Sequence, residues 1–183
     1  MSEEYLIRNC APTLAGLKTA NLFTCPYQDK GETNRTIARL NRRLSVKGLR
    51  VLPLRFSEKK VLIYLYRPKQ LSADLRHAQA VPILQALGYD STKSEQCLVR
   101  LARKIRTEAE FPHEIGLFLG YPPGDVCGFI ENKPCSCKCT GCWKVYTDEE
   151  GARQKFAQYR KCTRIYCQAW AKGIDIERLT VAG

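Results

Sequence analysis

The run Val61-Leu-Ile-Tyr-Leu-Tyr66 constrains the fold more than any other stretch of the chain. Side chains two apart along a strand point to the same face, so Val61, Ile63 and Leu65 make one face and Leu62, Tyr64 and Tyr66 the other. Both faces are apolar. A strand of this kind has to lie buried between two layers, which excludes an all-helical bundle and a sheet with one wet face. A second β-rich run, "LRVLPLRF", precedes it across Ser57-Glu58, and the two read as an antiparallel hairpin. Pro53 cannot donate to a ladder, which places the first run at an edge or on a bulge.

Helical patterns surround this hairpin. Residues 2–9 read as a short helix, and Pro12 fits the first turn of another that begins near Cys10. "TANLFTC" reads as a short extended segment. Thr33 is expected to cap a helix running to about Lys47, with Ile37, Leu40 and Leu44 on one stripe and Gly48 closing it. Ser72 opens a helical stretch to about Leu87, bent or divided near Pro82. Thr92-Lys-Ser-Glu95 reads as a capping box for a helix to about Arg106, with Leu98, Leu101 and Ile105 inward. Two short helices come next, over 112–119 and from Pro122-Pro123 through Phe129. "WKVY" reads as a strand, and Thr147-Asp-Glu-Glu150 as a second capping box opening a last helix to Lys172. On it, Phe156, Tyr159, Cys162, Tyr166 and Trp170 recur at helical spacing and are assigned to the core. "IDIERLTV" reads as a final short strand. The sum is an α+β fold, about six helices packed on a small, mostly antiparallel sheet, in a single domain over residues 1–183.

Four cysteines crowd into the loop at 134–142, at Cys135, Cys137, Cys139 and Cys142, in a chain with ten cysteines and a formal charge of +12. The first residues carry neither a basic nor an apolar leader pattern, and no apolar run approaches the ~20 residues of a membrane span. These features predict a cytoplasmic protein. In a reducing cell, clustered cysteines belong with metal or redox chemistry more often than with disulfides. Thiolates suit zinc or an iron-sulfur centre, and Cys139-Thr-Gly-Cys142 makes a two-ligand half site that Cys162 and Cys167, or Cys127, would complete. Flanking Lys133, Lys138 and Lys144 favour the thiolate. The alternative is a thiol-rich loop with no dedicated role. Cysteines standing alone in helical or strand patterns read as small buried hydrophobes.

His113 and Glu114 come directly after Pro112 near a helix start, where an imidazole and a carboxylate can act as a base or a ligand pair. The H-E-x-x-H pattern is absent, because Leu117 stands at the second histidine position. His77 is the other histidine, so a histidine-rich metal site is excluded. Cys10 ahead of a helix start reads as a nucleophile candidate with His113 as its base, or as a buried small residue. Cys10, His113 and Glu114 are therefore the candidate catalytic residues. No phosphate-binding glycine loop or serine nucleophile elbow is present.

Charge is concentrated. Residues 33–69 hold eleven Lys and Arg against Glu58 alone. Such a face attracts an acidic protein or nucleic acid by long-range steering. Tyr64 and Tyr66 lie among these cations, but their place on a two-sided apolar strand assigns them to the core rather than to base stacking.

The blocks "CAPTLAGLK", "FPHEIGLFLGYPPGDVCGFIEN" and "WKVYTDEEGARQKFAQYRKC", in that order, resemble an uncharacterised family of small bacterial proteins typical of anaerobes, known as a domain of unknown function. The resemblance runs from Cys10 to about Val181. It implies a cytoplasmic single-domain protein, with a contextual link to flavodoxin or iron-handling genes. It also implies that the link before "WKVY" varies and need not hold four cysteines. It supplies no activity, cofactor or catalytic residue. Taken together, the expectation is a cytosolic accessory protein of redox or metal physiology that docks an acidic partner such as a flavodoxin-like protein. A nucleic-acid-binding protein and a Cys/His-dependent enzyme are the alternatives.

Overall fold

Tyr64 is fully buried, and so are Val61, Ile63 and Leu65 on the opposite face of the same strand. The computed structural model describes residues 2–132 and 136–183, and its contacts divide the chain into two compact units. One takes in the chain to Lys69 and from Lys161 onward; the other is Gln70–Arg160.

The first unit holds a three-stranded antiparallel sheet of β1 (Ala20–Pro26), β2 (Arg50–Phe56) and β3 (Lys60–Tyr66), in the order β1-β3-β2. The doubly apolar strand is therefore central, since only there is its backbone paired on both sides as well. Phe23 faces Ile63, and Val51 faces Leu65. Val61, Ile63 and Leu65 join Leu6, Ile7, Cys10 and Leu14 of helix α1 (Glu3–Leu14) in one core, with Ile37, Leu40 and Leu44 of helix α2 (Lys30–Leu44). Each aliphatic side chain of this kind contributes about 1.5–3 kcal/mol when fully buried. β2 is an edge strand, and its register shifts between Pro53 and Arg55, so Pro53 lies both at an edge and beside a bulge, where a residue without a donor is tolerated. The Asn41 side chain covers that edge: its amide donates to the Val51 carbonyl and its oxygen accepts from the Val51 N–H, both at 2.8 Å.

Several local expectations are corrected here. α1 is one continuous helix with Pro12 in its last turns, not a break followed by a new start. The carbonyl that a proline leaves unpaired is four residues earlier, at Arg8, an exposed residue, so the interruption is tolerated. α2 begins at Lys30, because Asp29 accepts from the Glu32 N–H and caps it; Thr33 is buried one turn in, its hydroxyl donating to the Asp29 carbonyl. A 3-10 turn over Ser45–Lys47 then ends at Gly48, whose φ of 76° is one that glycine adopts without strain. The chain end is helix, not strand: Asp175 caps the last helix (Ile176–Leu179) by accepting from the Arg178 N–H.

Helix α3 (Pro68–Leu75) starts at the end of the first unit and runs into the second, which also contains α4 (Ala80–Ala86), α5 (Ser94–Thr107), α6 (Ile115–Phe118) and α7 (Pro123–Asn132). Next come a hairpin of β4 (Cys139–Thr140) and β5 (Lys144–Val145), and then α8 (Glu149–Ala171), whose final turns belong to the first unit. With Ile176–Leu179 as α9, nine α-helices rather than about six stand among the described residues. The stretch expected from Ser72 begins instead at Pro68 and breaks at residues 76–79, ahead of Pro82. Pro82 sits in the first turn of α4, where its absent donor is not needed. Neither capping box forms. Thr92 is held by the Asp90 side chain (hydroxyl to Oδ1 2.6 Å), and α8 is capped by Asp148, which accepts from the Gly151 N–H at 3.0 Å. The apolar stripes face inward as their spacing predicts: Leu98, Leu101 and Ile105 are buried on α5, as are Phe156, Tyr159 and Cys162 on α8. No helix among the described residues is long and apolar enough to cross a membrane.

Candidate functional site

The block from Phe111 to Phe129 folds as a turn, the short helix α6, a glycine reversal at Gly120 (φ 71°) and α7. Helix α6 packs on α7 at Gly116. A Cβ there would come within 2.7 Å of Val126 and 3.2 Å of Tyr121, so only glycine allows this approach. Pro122-Pro123 sets the start of α7 and puts Asp125 in its first turn.

Asp125 fastens the β4–β5 hairpin to this helix. The residue is 2% exposed. Oδ2 accepts from Trp143 Nε1 at 2.7 Å, while Oδ1 accepts from the Tyr146 N–H (2.8 Å), the Thr147 N–H (2.9 Å) and the Thr147 hydroxyl (2.8 Å). Burial by itself would raise the Asp125 pKa; these four donors outweigh it and hold the carboxyl below the usual carboxylate range. The carboxylate thereby ties both the hairpin and the turn after it to α7. Trp143 then stacks on Tyr121 (ring centres 5.0 Å, 28°) and meets Phe156 edge-on (4.5 Å, 76°). The Tyr121 hydroxyl donates to the Cys142 carbonyl at 3.0 Å.

Between these parts lies a cavity of about 340 Å³, walled by Phe111, Pro112, Ile115, Gly116, Tyr121, Val126, Phe129 and Trp143, with His113, Asp125 and Lys144 as its charged or ionisable members. The imidazole of His113 stands edge-on to Phe129 at 4.9 Å and 87°. Glu114 points away into the protein. It is 4% exposed, and its Oε1 accepts from the Tyr89 hydroxyl at 2.8 Å and from Lys104 Nζ at 2.5 Å. Burial opposes ionisation of Glu114, but the bonds from Lys104, its own backbone and Tyr89 prevail and hold its carboxyl below the usual range. Burial and the Glu114 charge push the Tyr89 hydroxyl up. This triad pins the turn that carries His113, so Glu114 serves as an anchor and His113 as the member of the pair that lines the cavity.

The other candidates stand elsewhere. Cys10 is not ahead of a helix start. It lies on the inner face of α1 with no exposure, in the first unit, and burial pushes its thiol far up. A thiol so placed is protonated at neutral pH, and the helix dipole expected to activate it is missing. His113 and Glu114 belong to the second unit. Cys135 lies outside the described residues. Cys137 is half-buried, with its sulfur 3.7 Å from the Thr140 hydroxyl; Cys139 packs beside the Trp143 cluster, and Cys142 is exposed at the hairpin turn. Among the described residues no three His, Cys, Asp or Glu side chains gather as a metal site, and no disulfide joins the described cysteines. Cys127, a candidate completing ligand from its place in the sequence, meets Glu131 Oε1 at 3.1 Å, and that contact raises its pKa.

Reading the residues alone missed Asp125, Tyr121 and Trp143. One signal for them was there. A buried tryptophan needs an acceptor for its N–H, and an aspartate in the first turn of a proline-started helix is a natural one; but their separation in the chain hides the pairing.

The chain belongs to a family described as "Protein of unknown function (DUF3793)", which matches residues 6–180. No curated protein and no solved structure matches it.

Proposed function

We propose that this member of the family is a small-molecule-binding protein whose site is the cavity between α6, α7 and the β4–β5 hairpin. The observation that carries the reading is the composition of the walls. Ligand pockets of about 300–1,000 Å³ lined by apolar and aromatic side chains with a few polar groups are the usual form of such a site, and this one, at about 340 Å³, has that make-up. It would take a small ligand rather than a long chain. The accessory role in a cytoplasmic setting fits a protein that binds and presents a ligand. The thiols of Cys139 and Cys142 stand on the hairpin that also supplies Trp143, so any redox or metal chemistry at the loop would act on the cavity wall. Screening aromatic fragments by protein-detected NMR tests the reading: fragments should shift the Trp143 indole signal. A screen that moves no Trp143 signal would end it.

A second reading concerns the first unit. Among the basic residues between 33 and 69, Arg43 and Arg67 act inside the fold. Arg43 bridges Glu177 and Glu3, and Arg67 donates to the carbonyls of Thr13 (2.8 Å), Leu14 (2.9 Å) and Val181 (2.7 Å). Arg35, Arg39 and Arg42 are carried along α2, and Lys59 and Lys60 are exposed at the hairpin tip. We infer that this face docks an acidic protein, a flavodoxin-like one being the type that the family resemblance implies. Nucleic acid is the weaker partner, because Tyr64 is buried and stacked on Tyr66 (5.0 Å, 20°) and offers no platform to bases. Charge reversal of Arg35, Arg39 and Arg42 together should slow association with an acidic partner at low salt; equal or tighter binding to duplex DNA would favour nucleic acid instead.

A further inference from the structure

We propose that the cavity of the second unit takes an uncharged, flat aromatic compound of one or two rings and turns charged compounds away. This rests on the reading of that cavity as a ligand site and names the ligand class.

A charge leaves water at tolerable cost only where a partner replaces its hydration. The polar groups of the inner wall already have partners in the protein. Asp125 accepts four hydrogen bonds and is 2% exposed, so its charge is met by donors of the hairpin and the turn after it. Trp143 Nε1 is engaged with Asp125 Oδ2, the Tyr121 hydroxyl with the Cys142 carbonyl, and Lys144 has an interaction of its own within the protein. His113 and Phe111 are exposed, whereas Ile115, Gly116, Val126 and Trp143 are buried. The cavity therefore runs from an opening at 111–113 to an inner wall of aliphatic and indole surface. A charged group carried to that wall would lose its water and meet only groups that are already paired. For a cation, attraction to a ring face is weaker than that loss. Phe111, Tyr121, Phe129 and Trp143 favour a flat guest, because rings pair in offset stacks or edge to face. A small neutral polar substituent fits at the opening, beside His113.

The test uses the full chain at pH 7 and four probes: quinoline, which is uncharged; N-methylquinolinium, with its charge in the ring; 2,6-naphthalenedicarboxylate, with a charge at each end; and 1-adamantanol, uncharged but not flat. In neither charged probe can all the charge stay at the opening. Affinities are read from the shift of the Trp143 indole signal as each probe is added. Quinoline should bind at least about tenfold tighter than either charged probe, as burial of an unpaired charge warrants. It should also bind at least about threefold tighter than adamantanol, as ring pairing beyond simple burial warrants. Lys144→Gln should leave the quinoline affinity and the preference for it within about twofold. A charged probe binding as tightly as quinoline, or a preference that changes sign in Lys144→Gln, overturns the uncharged class and leaves the cavity a binding site. Adamantanol binding as tightly as quinoline overturns the aromatic class in the same way. Failure of all four to move the Trp143 signal overturns both the class and the site.

Discussion

Replacing Asp125 with asparagine removes one charge and changes almost no volume, so its effect isolates the hydrogen-bond network that holds the hairpin to α7. The native carboxylate accepts from Trp143 through Oδ2 and from Tyr146 and Thr147 through Oδ1. A carboxamide has a single acceptor oxygen. With that oxygen toward Tyr146 and Thr147, its NH₂ faces the Trp143 N–H, donor against donor; turned the other way, it faces three donors. Either orientation leaves a buried N–H unmet and exchanges charged for neutral acceptors, which costs about 2–4 kcal/mol on the usual scale for bonds to charged groups and for unsatisfied donors. The sign of the pH dependence is also set. The folded pKa of Asp125 lies below its ordinary value of 3.8, so its contribution is present above that pH and is lost as pH falls through the folded value. Urea unfolding of Asp125→Asn, followed by Trp143 emission in a Trp170→Phe background, should show a correspondingly lower midpoint at pH 7. The loss should shrink as both proteins are taken into acid. In a Trp143→Phe background, which lacks the N–H, the asparagine penalty should fall by about 1.5–3 kcal/mol. A penalty under about 0.5 kcal/mol, the range of ordinary surface changes, with an unchanged acid slope, would refute the view that this carboxylate organises the site.

Glu114→Gln should behave in the same direction. Its folded pKa lies below 4.5, so the wild-type advantage should be full above that value and vanish on further acidification, measured by thermal unfolding across pH. Gly141 lies where a Cβ would run into the ring of Phe156. Gly141→Ala should therefore destabilise the second unit by about 1–3 kcal/mol in urea melts; a neutral result would mean that the hairpin turn shifts freely. Brief alkylation of the native protein and then peptide mass spectrometry should label the exposed Cys142 and leave the fully buried Cys10 unmodified until denaturant is added. Early labelling of Cys10 would reopen it as a nucleophile.

Features written in local periodicity were legible in the sequence, and features set by distant neighbours were not. The burial of the 61–66 strand, the edge position of Pro53 and the stripes on α2, α5 and α8 belong to the first kind, because periodicity records which side of an element faces water. The starts of α2 and α8 were misplaced because several residues there can cap, and the aspartates at 29 and 148 took the role from the threonines at 33 and 147. His113 and Glu114 read as an adjacent pair of like purpose. The fold turns one to the cavity and the other to Tyr89 and Lys104, a choice that residues far off in the chain decide.

By its own sequence the chain determined that it would bury a doubly apolar strand in an antiparallel sheet under helices, and that it would carry a strongly basic segment, since both arise from residue type and spacing. Only the tertiary structure decided that Asp125, 18 residues from Trp143, closes a network across α7 and the hairpin, and that Cys10 is walled in. Those outcomes depend on which distant groups satisfy a buried charge or exclude water from a thiol, and no local pattern records that.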